Sequence, residues 1–275
     1  MRISLQEREP LCQRARQLLE AFHFVGHNDP AEIIWTGLTP VRPCEGCLVI
    51  VTPCTGIDHI PLDECERLGI EVLSLKGETE FLETVHATAE HTIALMLAML
   101  RRIHLAAHYG ERLIRRELHG KTVLIVGRGR VGKQVGDLLQ AFGCLVLYAD
   151  KESPLDELLP LADIVSVHVD LNETTRGMFD SSRFCQMQYG SYFVNTSRGQ
   201  VANTDHLRAA LEHGNLAGAA VDFSVDFEHV KLLQTPHIGG YTVESVEKTE
   251  VFMASKLITW TNSREAALTQ SAAHR

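Results

Sequence analysis

One stretch of the chain, residues 123–132, constrains the fold more than any other. It begins with the apolar run Val-Leu-Ile-Val and continues directly into Gly-Arg-Gly-Arg-Val-Gly, where a helical pattern starts at Val131. A buried strand that enters a helix through glycines is typical of a βαβ unit in a parallel sheet. The glycines allow a tight turn close to a diphosphate, and the helix N-terminus presents N–H groups to it. The stretch therefore predicts a dinucleotide-binding turn formed by Gly127, Gly129, Arg130, Val131 and Gly132.

An acidic residue, Asp150, follows the next predicted strand, residues 144–148. A carboxylate at this position can accept hydrogen bonds from a ribose hydroxyl, and it would repel a 2′-phosphate. We therefore expect the cofactor to be NAD rather than NADP.

The same glycine turn allows a second interpretation. Residues 127–133 also match GxxxxGK, the first part of the loop that binds nucleoside triphosphates, but Gln134 stands where that loop has Ser or Thr. Without this hydroxyl the loop lacks its ligand for Mg²⁺. The sequence therefore disfavours a triphosphate-hydrolysing enzyme.

Short apolar runs alternate with helical patterns along the whole chain, which predicts an α/β protein with parallel sheets. At about 100–200 residues per domain, a chain of 275 residues indicates two domains. Strands are predicted at 32–36, 48–52, 70–75, 122–126, 144–148, 163–168, 191–195, 218–222 and 232–235. Helices are predicted at 11–22, 63–68, 84–103, 131–142, 181–187, 204–213 and 243–260.

Composition excludes several classes of function. Thirty-five acidic residues against 26 basic ones give a net charge of -9, which argues against a nucleic-acid binder and against a polybasic membrane anchor. The longest apolar run, residues 93–100, is too short to span a membrane, and the first eight residues contain no signal-peptide core. Cys44 and Cys47 form one CxxC pair without a matching second pair, so we expect no metal site. We expect a cytoplasmic protein with reduced thiols.

Three downstream segments carry a resemblance to a known family. They are Val-Asn-Thr-Ser-Arg-Gly at 194–199, Ala-Ala-Val-Asp at 219–222, and Thr-Pro-His-Ile-Gly-Gly at 235–240. With the glycine turn before them, their order and spacing resemble the D-isomer-specific 2-hydroxyacid dehydrogenases, and most of all the phosphoglycerate-dehydrogenase-like members. The segments Thr-Gly-Ile-Asp-His-Ile at 55–60 and Thr-Ala-Glu-His-Thr at 88–92 also resemble family segments.

The resemblance implies a fold of two Rossmann-like domains. The smaller, flavodoxin-like substrate domain comprises residues 1–85 and is completed by 257–275, and the doubly wound NAD-binding domain comprises 86–256. The substrate is expected in the cleft between them, and a homodimer is expected to use the long helix that begins near Thr84.

The resemblance also implies roles for individual residues. His237 would be the general acid and base, which suits a side chain that titrates near neutral pH. Arg198 would bind the substrate carboxylate through two parallel hydrogen bonds, together with the backbone at Thr55 and Gly56. Asp222 would hold the nicotinamide amide. Further cofactor contacts are expected from Val169, Asp170, Thr196, Ser197, Gly239 and Gly240.

One family feature is altered in this chain. The family has a Glu followed by Pro between its Asp and His, and the Glu holds the catalytic imidazole. Here the segment 222–229 contains no Glu-Pro pair, so Glu228 is the preferred carboxylate and Asp226 the alternative. Asp170 also stands where Pro is typical of the family.

Two functions therefore remain in competition. The first is an active oxidoreductase that moves a hydride between nicotinamide and a small 2-hydroxy acid or 2-oxoacid. The second is an NAD-sensing regulatory protein that keeps the fold but has lost catalysis. The altered Glu segment and the short loops, such as the one between Arg102 and Lys121, favour the second.

Overall fold

The computed structural model describes residues 1–6, 11–26, 29–103, 105, 110 and 114–273. Backbone contacts divide the chain into two compact units, Met1–Val85 with Val243–Arg275, and His86–Thr242. Each unit contains one parallel sheet with helices packed against it. The predicted fold class, two parallel-sheet α/β domains, is confirmed.

The sheet of the first unit has five parallel strands. They are β1 (Arg2–Leu5), β2 (His23–Val25), β3 (Ile33–Trp35), β4 (Val49–Val51) and β5 (Glu71–Leu73), in the spatial order β2-β1-β3-β4-β5. This is the flavodoxin-like strand order. The short helices of this unit are Gln13–Leu18, Leu62–Leu68 and Thr79–Glu83. The sequence pattern had missed β1 and β2, because each is a run of three or four residues with no bounding glycine or proline pair.

The C-terminal helix, Val243–Ala273, belongs entirely to the first unit. The sequence prediction ended this helix at 260 and placed its first turns, up to 256, in the larger domain. The helix continues because residues 262–273 contain no glycine or proline but four Ala, Glu265 and Leu268, which favour helix. It packs on the first sheet because Met253, Ala254 and Leu257 are fully buried in the same core as Ile3 and Ile33.

The sheet of the second unit has six parallel strands. They are β6 (Thr122–Val126), β7 (Leu145–Ala149), β8 (Ile164–Val167), β9 (Ser191–Asn195), β10 (Leu216–Val221) and β11 (Leu232–Gln234), in the spatial order β11-β10-β9-β8-β6-β7. Both faces of this sheet are covered by apolar clusters. The helices are Ala87–Arg101, Arg130–Ala141, Leu155–Leu158, Ser181–Gln186 and Thr204–Glu212, with single 3-10 turns at Leu159–Leu161 and Gly199–Val201.

The predicted helix 84–103 begins later than expected. A short helix, Thr79–Glu83, ends before Thr84, and the long helix starts at Ala87 and ends at Arg101. It ends there because Arg102 adopts the left-handed conformation, with φ 47°, which cannot continue a right-handed helix. Its buried side, which includes Ile93, Met96 and Leu100, packs on the same cluster as β6.

Within the described part of the chain, none of the seven cysteines forms a disulfide, and no three His, Cys, Asp or Glu side chains are grouped so that they could hold a metal. None of the helices found there is long and apolar enough to cross a membrane.

The packing of the C-terminal helix gives a stability prediction. Leu257→Ala should lower the free energy of unfolding by about 2–5 kcal/mol, because Leu257 is fully buried and its removal leaves a cavity. Leu268→Ala is the matched control on the same helix, since Leu268 is 61% exposed, and it should cost less than about 0.5 kcal/mol. Urea unfolding followed by circular dichroism measures both. Equal effects of the two substitutions would contradict the assignment of this helix to the first core.

Candidate functional site

The carboxyl ends of the six strands of the second unit lie in one row. Register pairs join Ala149 to Val126, Val126 to Val167, and Val167 to Asn195. The row continues from Asn195 to Val221 and from Val221 to Gln234. Because parallel strands end at the same edge, the residues that follow this row are brought together there. They are Gly127, Asp150, His168, Thr196, Asp222 and Thr235, and four of these six were predicted as site residues.

The glycine turn follows β6 and is closely packed. Gly127 has φ +98°, and a Cβ there would lie 2.8 Å from the carbonyl oxygen of His168 and 2.9 Å from Cγ1 of Val169. A Cβ on Gly132 would overlap the carbonyl oxygen of Gly127. Both positions therefore require glycine for the strand to enter the helix Arg130–Ala141 in this way.

The middle glycine of the motif, Gly129, faces open space. It is the N-cap of the helix Arg130–Ala141, no side chain accepts a hydrogen bond from the first turn, and a Cβ there would meet nothing within 4 Å. The helix N-terminus thus offers N–H groups and the positive end of its dipole to whatever occupies that space. A dinucleotide diphosphate fits this cradle in charge and in hydrogen-bonding pattern.

Two side chains of the first helical turn flank this cradle. Val131 is half-buried and packs against the cluster that contains Val123 and Ile125. Arg130 is partly buried, and burial lowers the pKa of its guanidinium. An arginine remains cationic under this effect, so a positive charge stays at the helix N-terminus.

Asp150 lies one strand away from the glycine turn. It follows β7 directly, it is exposed, and its Oδ1 accepts a hydrogen bond from the N–H of Lys151 at 3.0 Å. Its own N–H donates to Oγ of Ser153 at 2.9 Å, which fixes the start of the loop. The carboxylate is free on its solvent side to accept hydrogen bonds from vicinal hydroxyl groups.

The turn after β8 lies against the glycine turn. Val169 is half-buried and in contact with the position of Gly127, and Asp170 is exposed. The carbonyl oxygen of Asp170 accepts a hydrogen bond from Oγ1 of Thr175 at 2.6 Å, which holds the loop beyond it.

His168, which the sequence analysis did not single out, anchors this turn. Its Nε2 and Oγ of Ser166 are 2.8 Å apart. Burial lowers the pKa of His168 to about 4, so the imidazole is neutral at neutral pH. A histidine at the end of an otherwise apolar strand was the signal that could have drawn attention to it.

The loop after β9 contains Arg198, the cationic residue predicted to bind the substrate carboxylate. The fully buried Asn195 fixes this loop, since its Oδ1 accepts hydrogen bonds from N–H and Oγ of Ser197 at 2.9 and 2.8 Å. Its Nδ2 donates to the carbonyl oxygen of Arg198 at 3.0 Å. Thr196 is held from the other side, with its Oγ1 2.9 Å from Oγ1 of Thr92. The side chain of Arg198 is half-buried, and its Nη1 donates to the carbonyl oxygen of Ser197 at 3.1 Å.

Asp222 follows β10 and is almost completely buried, at 2% exposed. Its Oδ1 accepts hydrogen bonds from Oγ1 of Thr235 at 2.7 Å and from the N–H of Ile238 at 2.8 Å. Its Oδ2 accepts one from the N–H of Gly239 at 2.7 Å. One carboxylate therefore fixes the whole turn that surrounds His237.

A histidine from the long helix completes this cluster. Nε2 of His91 lies 3.1 Å from Oγ1 of Thr235 and 3.5 Å from Oδ1 of Asp222. Burial on its own would raise the pKa of the Asp222 carboxyl. The hydrogen bonds from His91, Thr235, Ile238 and Gly239 outweigh it and lower this pKa to about 2. Asp222 is therefore ionised at neutral pH.

His237 is held in an unusual backbone conformation. It has φ 58°, the left-handed region that residues other than glycine rarely adopt, and its N–H donates to the carbonyl oxygen of Thr235 at 3.0 Å. Its side chain is half-buried. Gly239 is buried, and a Cβ there would lie 2.8 Å from Oδ2 of Asp222, whereas Gly240 is exposed at the end of the turn.

The two predicted carboxylate partners of His237 are both exposed. Asp226 is 81% exposed and lies 3.8 Å from Nη2 of Arg208, which also stacks on the ring of Phe227. Glu228 is exposed beyond the buried Phe227. The ion pair given for Asp226 is with Arg208. The choice between Glu228 and Asp226 stays a prediction.

Thr55 and Gly56 belong to the first unit. They lie in the loop after β4, with Thr55 exposed and Gly56 half-buried. Their expected role in binding a carboxylate also stays a prediction.

Comparisons with known proteins show the family of this chain. The family model described as "D-isomer specific 2-hydroxyacid dehydrogenase, NAD binding domain" matches residues 93–239. A glyoxylate reductase of Thermofilum pendens is 33% identical over 250 residues, which cover 76% of this chain and 70% of that protein. A D-3-phosphoglycerate dehydrogenase of Bacillus subtilis is 30% identical over 223 residues, 69% of this chain but only 41% of that protein.

A solved structure agrees at the level of the fold. The D-lactate dehydrogenase of Aquifex aeolicus, complexed with NAD and lactic acid, has a TM-score of 0.80, with 23% identity and 96% of each chain covered. The expectation that NAD is the cofactor is confirmed by the family model, and the resemblance to the family is confirmed as well. With its glycine turn, Asp150 and the Asp222 cluster inside the matched range or beside it, this chain belongs to the D-isomer specific 2-hydroxyacid dehydrogenase family.

Proposed function

We propose that this chain interconverts a small 2-oxoacid and the corresponding D-2-hydroxy acid, with His237 as the general acid and base. The observation that supports this most directly is the Asp222 cluster. A single ionised carboxylate holds the turn that carries His237 at the same sheet edge as the glycine turn. An acid–base group and a dinucleotide cradle on one rigid edge are what hydride transfer to a carbonyl requires.

NAD, when bound, supplies or accepts the hydride at carbon 2 of the substrate. The first helical turn after Gly129 binds the diphosphate, and Asp150 accepts hydrogen bonds from the adenosine ribose. Asp222 uses its remaining acceptor position for the nicotinamide amide, while Val169, Asp170, Thr196, Ser197 and Gly240 border the cofactor.

The substrate is held by charge and polarised by a proton donor. The guanidinium of Arg198 binds the substrate carboxylate through two parallel N–H groups, and the backbone N–H groups of Thr55 and Gly56 add to this grip. In the reductive direction the imidazolium of His237 gives its proton to the carbonyl oxygen as the hydride arrives at carbon 2. In the oxidative direction the neutral imidazole takes the hydroxyl proton. Glu228 is our preferred carboxylate for stabilising the charged imidazole, with Asp226 as the alternative.

A second function has one observation in its favour. Asp226 and Glu228 are both exposed, and Asp226 lies near Arg208. The segment 222–229 also contains no Glu-Pro pair, and a chain with this altered carboxylate would bind NAD without fast turnover, as expected of an NAD-sensing regulatory protein. Tight NADH binding with no turnover on any 2-oxoacid would support that alternative.

We also propose that the chain forms a homodimer to which the long helix, Ala87–Arg101, contributes. Light scattering at micromolar protein should give twice the mass of one chain. A mass of one chain would contradict this part of the proposal.

Turnover tests the proposed reaction. The protein should oxidise NADH with at least one of glyoxylate, pyruvate, 3-phosphohydroxypyruvate or a bulkier 2-oxoacid, followed by absorbance of the nicotinamide. His237→Gln should lower kcat by a factor of about 10²–10⁴, because it removes the proton donor. The matched control is His229→Gln on the neighbouring loop, where Nδ1 of His229 accepts a hydrogen bond from the N–H of Lys231, and kcat should be unchanged. Full turnover by the His237→Gln variant would contradict the assigned role.

Cofactor preference tests the role of Asp150. The protein should favour NADH over NADPH, and Asp150→Asn should raise relative kcat/KM for NADPH by about tenfold, because the repulsion of the 2′-phosphate is removed. Glu152→Gln removes one exposed negative charge from the same loop and is the control for a general charge effect. An equal response of both variants would remove Asp150 from the cofactor site.

A further inference from the structure

We propose that His91 is a positioning residue for the nicotinamide end of the site. Through Thr235 and Asp222 it holds the turn that carries His237. This inference rests on the proposed function only for the statement that Asp222 faces the nicotinamide. The contacts that carry it lie within the second unit.

The protons of this cluster can be assigned from its geometry. Asp222 is ionised and can only accept, so the hydroxyl of Thr235 donates its single proton to Oδ1 of Asp222 at 2.7 Å. Oγ1 of Thr235 must then be the acceptor in its 3.1 Å contact with Nε2 of His91. His91 therefore carries a proton on Nε2, and a directed chain of hydrogen bonds runs from the helix Ala87–Arg101 to the carboxylate.

The same imidazole also packs on the turn. Its Cδ2 would lie 3.4 Å from a Cβ built on Gly239, and its side chain is only 17% exposed. His91 thus meets the turn through its proton on Thr235, and its ring lies beside Gly239, where an added Cβ would touch it. A helix packed into the apolar core of the unit fixes the position of this ring, because neighbouring Ala89, Ile93 and Leu95 are buried.

The acceptor positions of Asp222 explain why this positioning matters for the cofactor. A carboxylate offers about four acceptor positions, two on each oxygen. Oδ1 takes the hydroxyl of Thr235 and the N–H of Ile238, while Oδ2 takes the N–H of Gly239. One position therefore remains on Oδ2 for a further donor such as a carboxamide N–H. The direction of this acceptor position depends on how Thr235 and the turn orient the carboxylate.

Loss of the His91 proton should disturb this end of the site and leave the other end unchanged. Thr235 would lose its donor, and its hydroxyl could turn toward the carbonyl oxygen of Val221, which is already within 3.4 Å of Oγ1. The left-handed backbone of His237 depends on the same turn. The glycine turn and Asp150 follow other strands, β6 and β7, and the hydrogen bonds of Asp150 join it to Lys151 and Ser153.

Two ligands separate the two ends of the site. NADH contains the nicotinamide, and ADP-ribose has the same adenosine, diphosphate and second ribose without it. Isothermal titration calorimetry with both ligands measures the effect of each substitution on the nicotinamide end alone. His91→Leu should weaken NADH binding by about tenfold, the loss expected for a hydrogen bond in a chain that ends on a charged group, with ADP-ribose binding changed by less than about twofold.

Conservative variants separate positioning from packing. The amide nitrogen of Gln can replace a donating imidazole Nε2, so His91→Gln should retain NADH affinity to within about threefold, while His91→Leu should not. Thr235→Val breaks the same chain at its middle and should repeat the His91→Leu result, whereas Thr235→Ser keeps the hydroxyl and should not. If His91→Leu fails to fold, the comparison of Thr235→Val with Thr235→Ser decides the question.

Equal weakening of NADH and ADP-ribose, no weakening of either, or no rescue by His91→Gln and Thr235→Ser would overturn the proposal. None of these readouts needs turnover. An inactive protein that still shows the selective loss of NADH binding would count against the proposed reaction and in favour of the role of His91.

Discussion

The buried carboxylate of Asp222 is the constraint on which the geometry of the site depends. A carboxylate that is 2% exposed is costly to ionise unless every part of it is hydrogen-bonded. Here the bonds come from Thr235 after β11, from the backbone of Ile238 and Gly239, and from the direction of the long helix through His91. The ionised carboxylate of Asp222 therefore also joins, through its hydrogen bonds, the segments that form the site.

The parallel sheet explains why these segments meet. The six strands of the second unit end in one row, so every loop that leaves their carboxyl ends begins at the same edge. Three polar residues at this edge, two buried and one half-buried, each fix one loop. His168 holds the turn after β8, Asn195 the loop after β9, and Asp222 the turn beyond β11. Arg198 and His237 are half-buried and lie on loops that these hydrogen bonds hold in place.

The features that could be predicted from the sequence are those determined by residues close to them in the chain. The glycine turn follows from the order of strand, glycines and helix, and Asp150 from its place after the next strand. Asn195 and His91 lie in the family-like segments 194–199 and 88–92, but the resemblance implied no role for either. His168 lies outside these segments, and His91 acts through a partner 144 positions away, so no local pattern pointed to their contacts. The extent of the C-terminal helix was underestimated because its polar, Ala-rich end resembles a tail, although its composition favours helix. Which carboxylate serves His237 could not be predicted, since the segment 222–229 departs from the family pattern.

The fate of the transferred hydrogen tests the account most directly. The protein would be incubated with a 2-oxoacid whose product is chiral, such as pyruvate, and with NADH that carries two deuterium atoms at carbon 4 of the nicotinamide, and the product would be examined by NMR and chiral chromatography. The proposed hydride transfer predicts deuterium at carbon 2 of a D-2-hydroxy acid. A product without deuterium at that carbon, or a product of the L configuration, would contradict it.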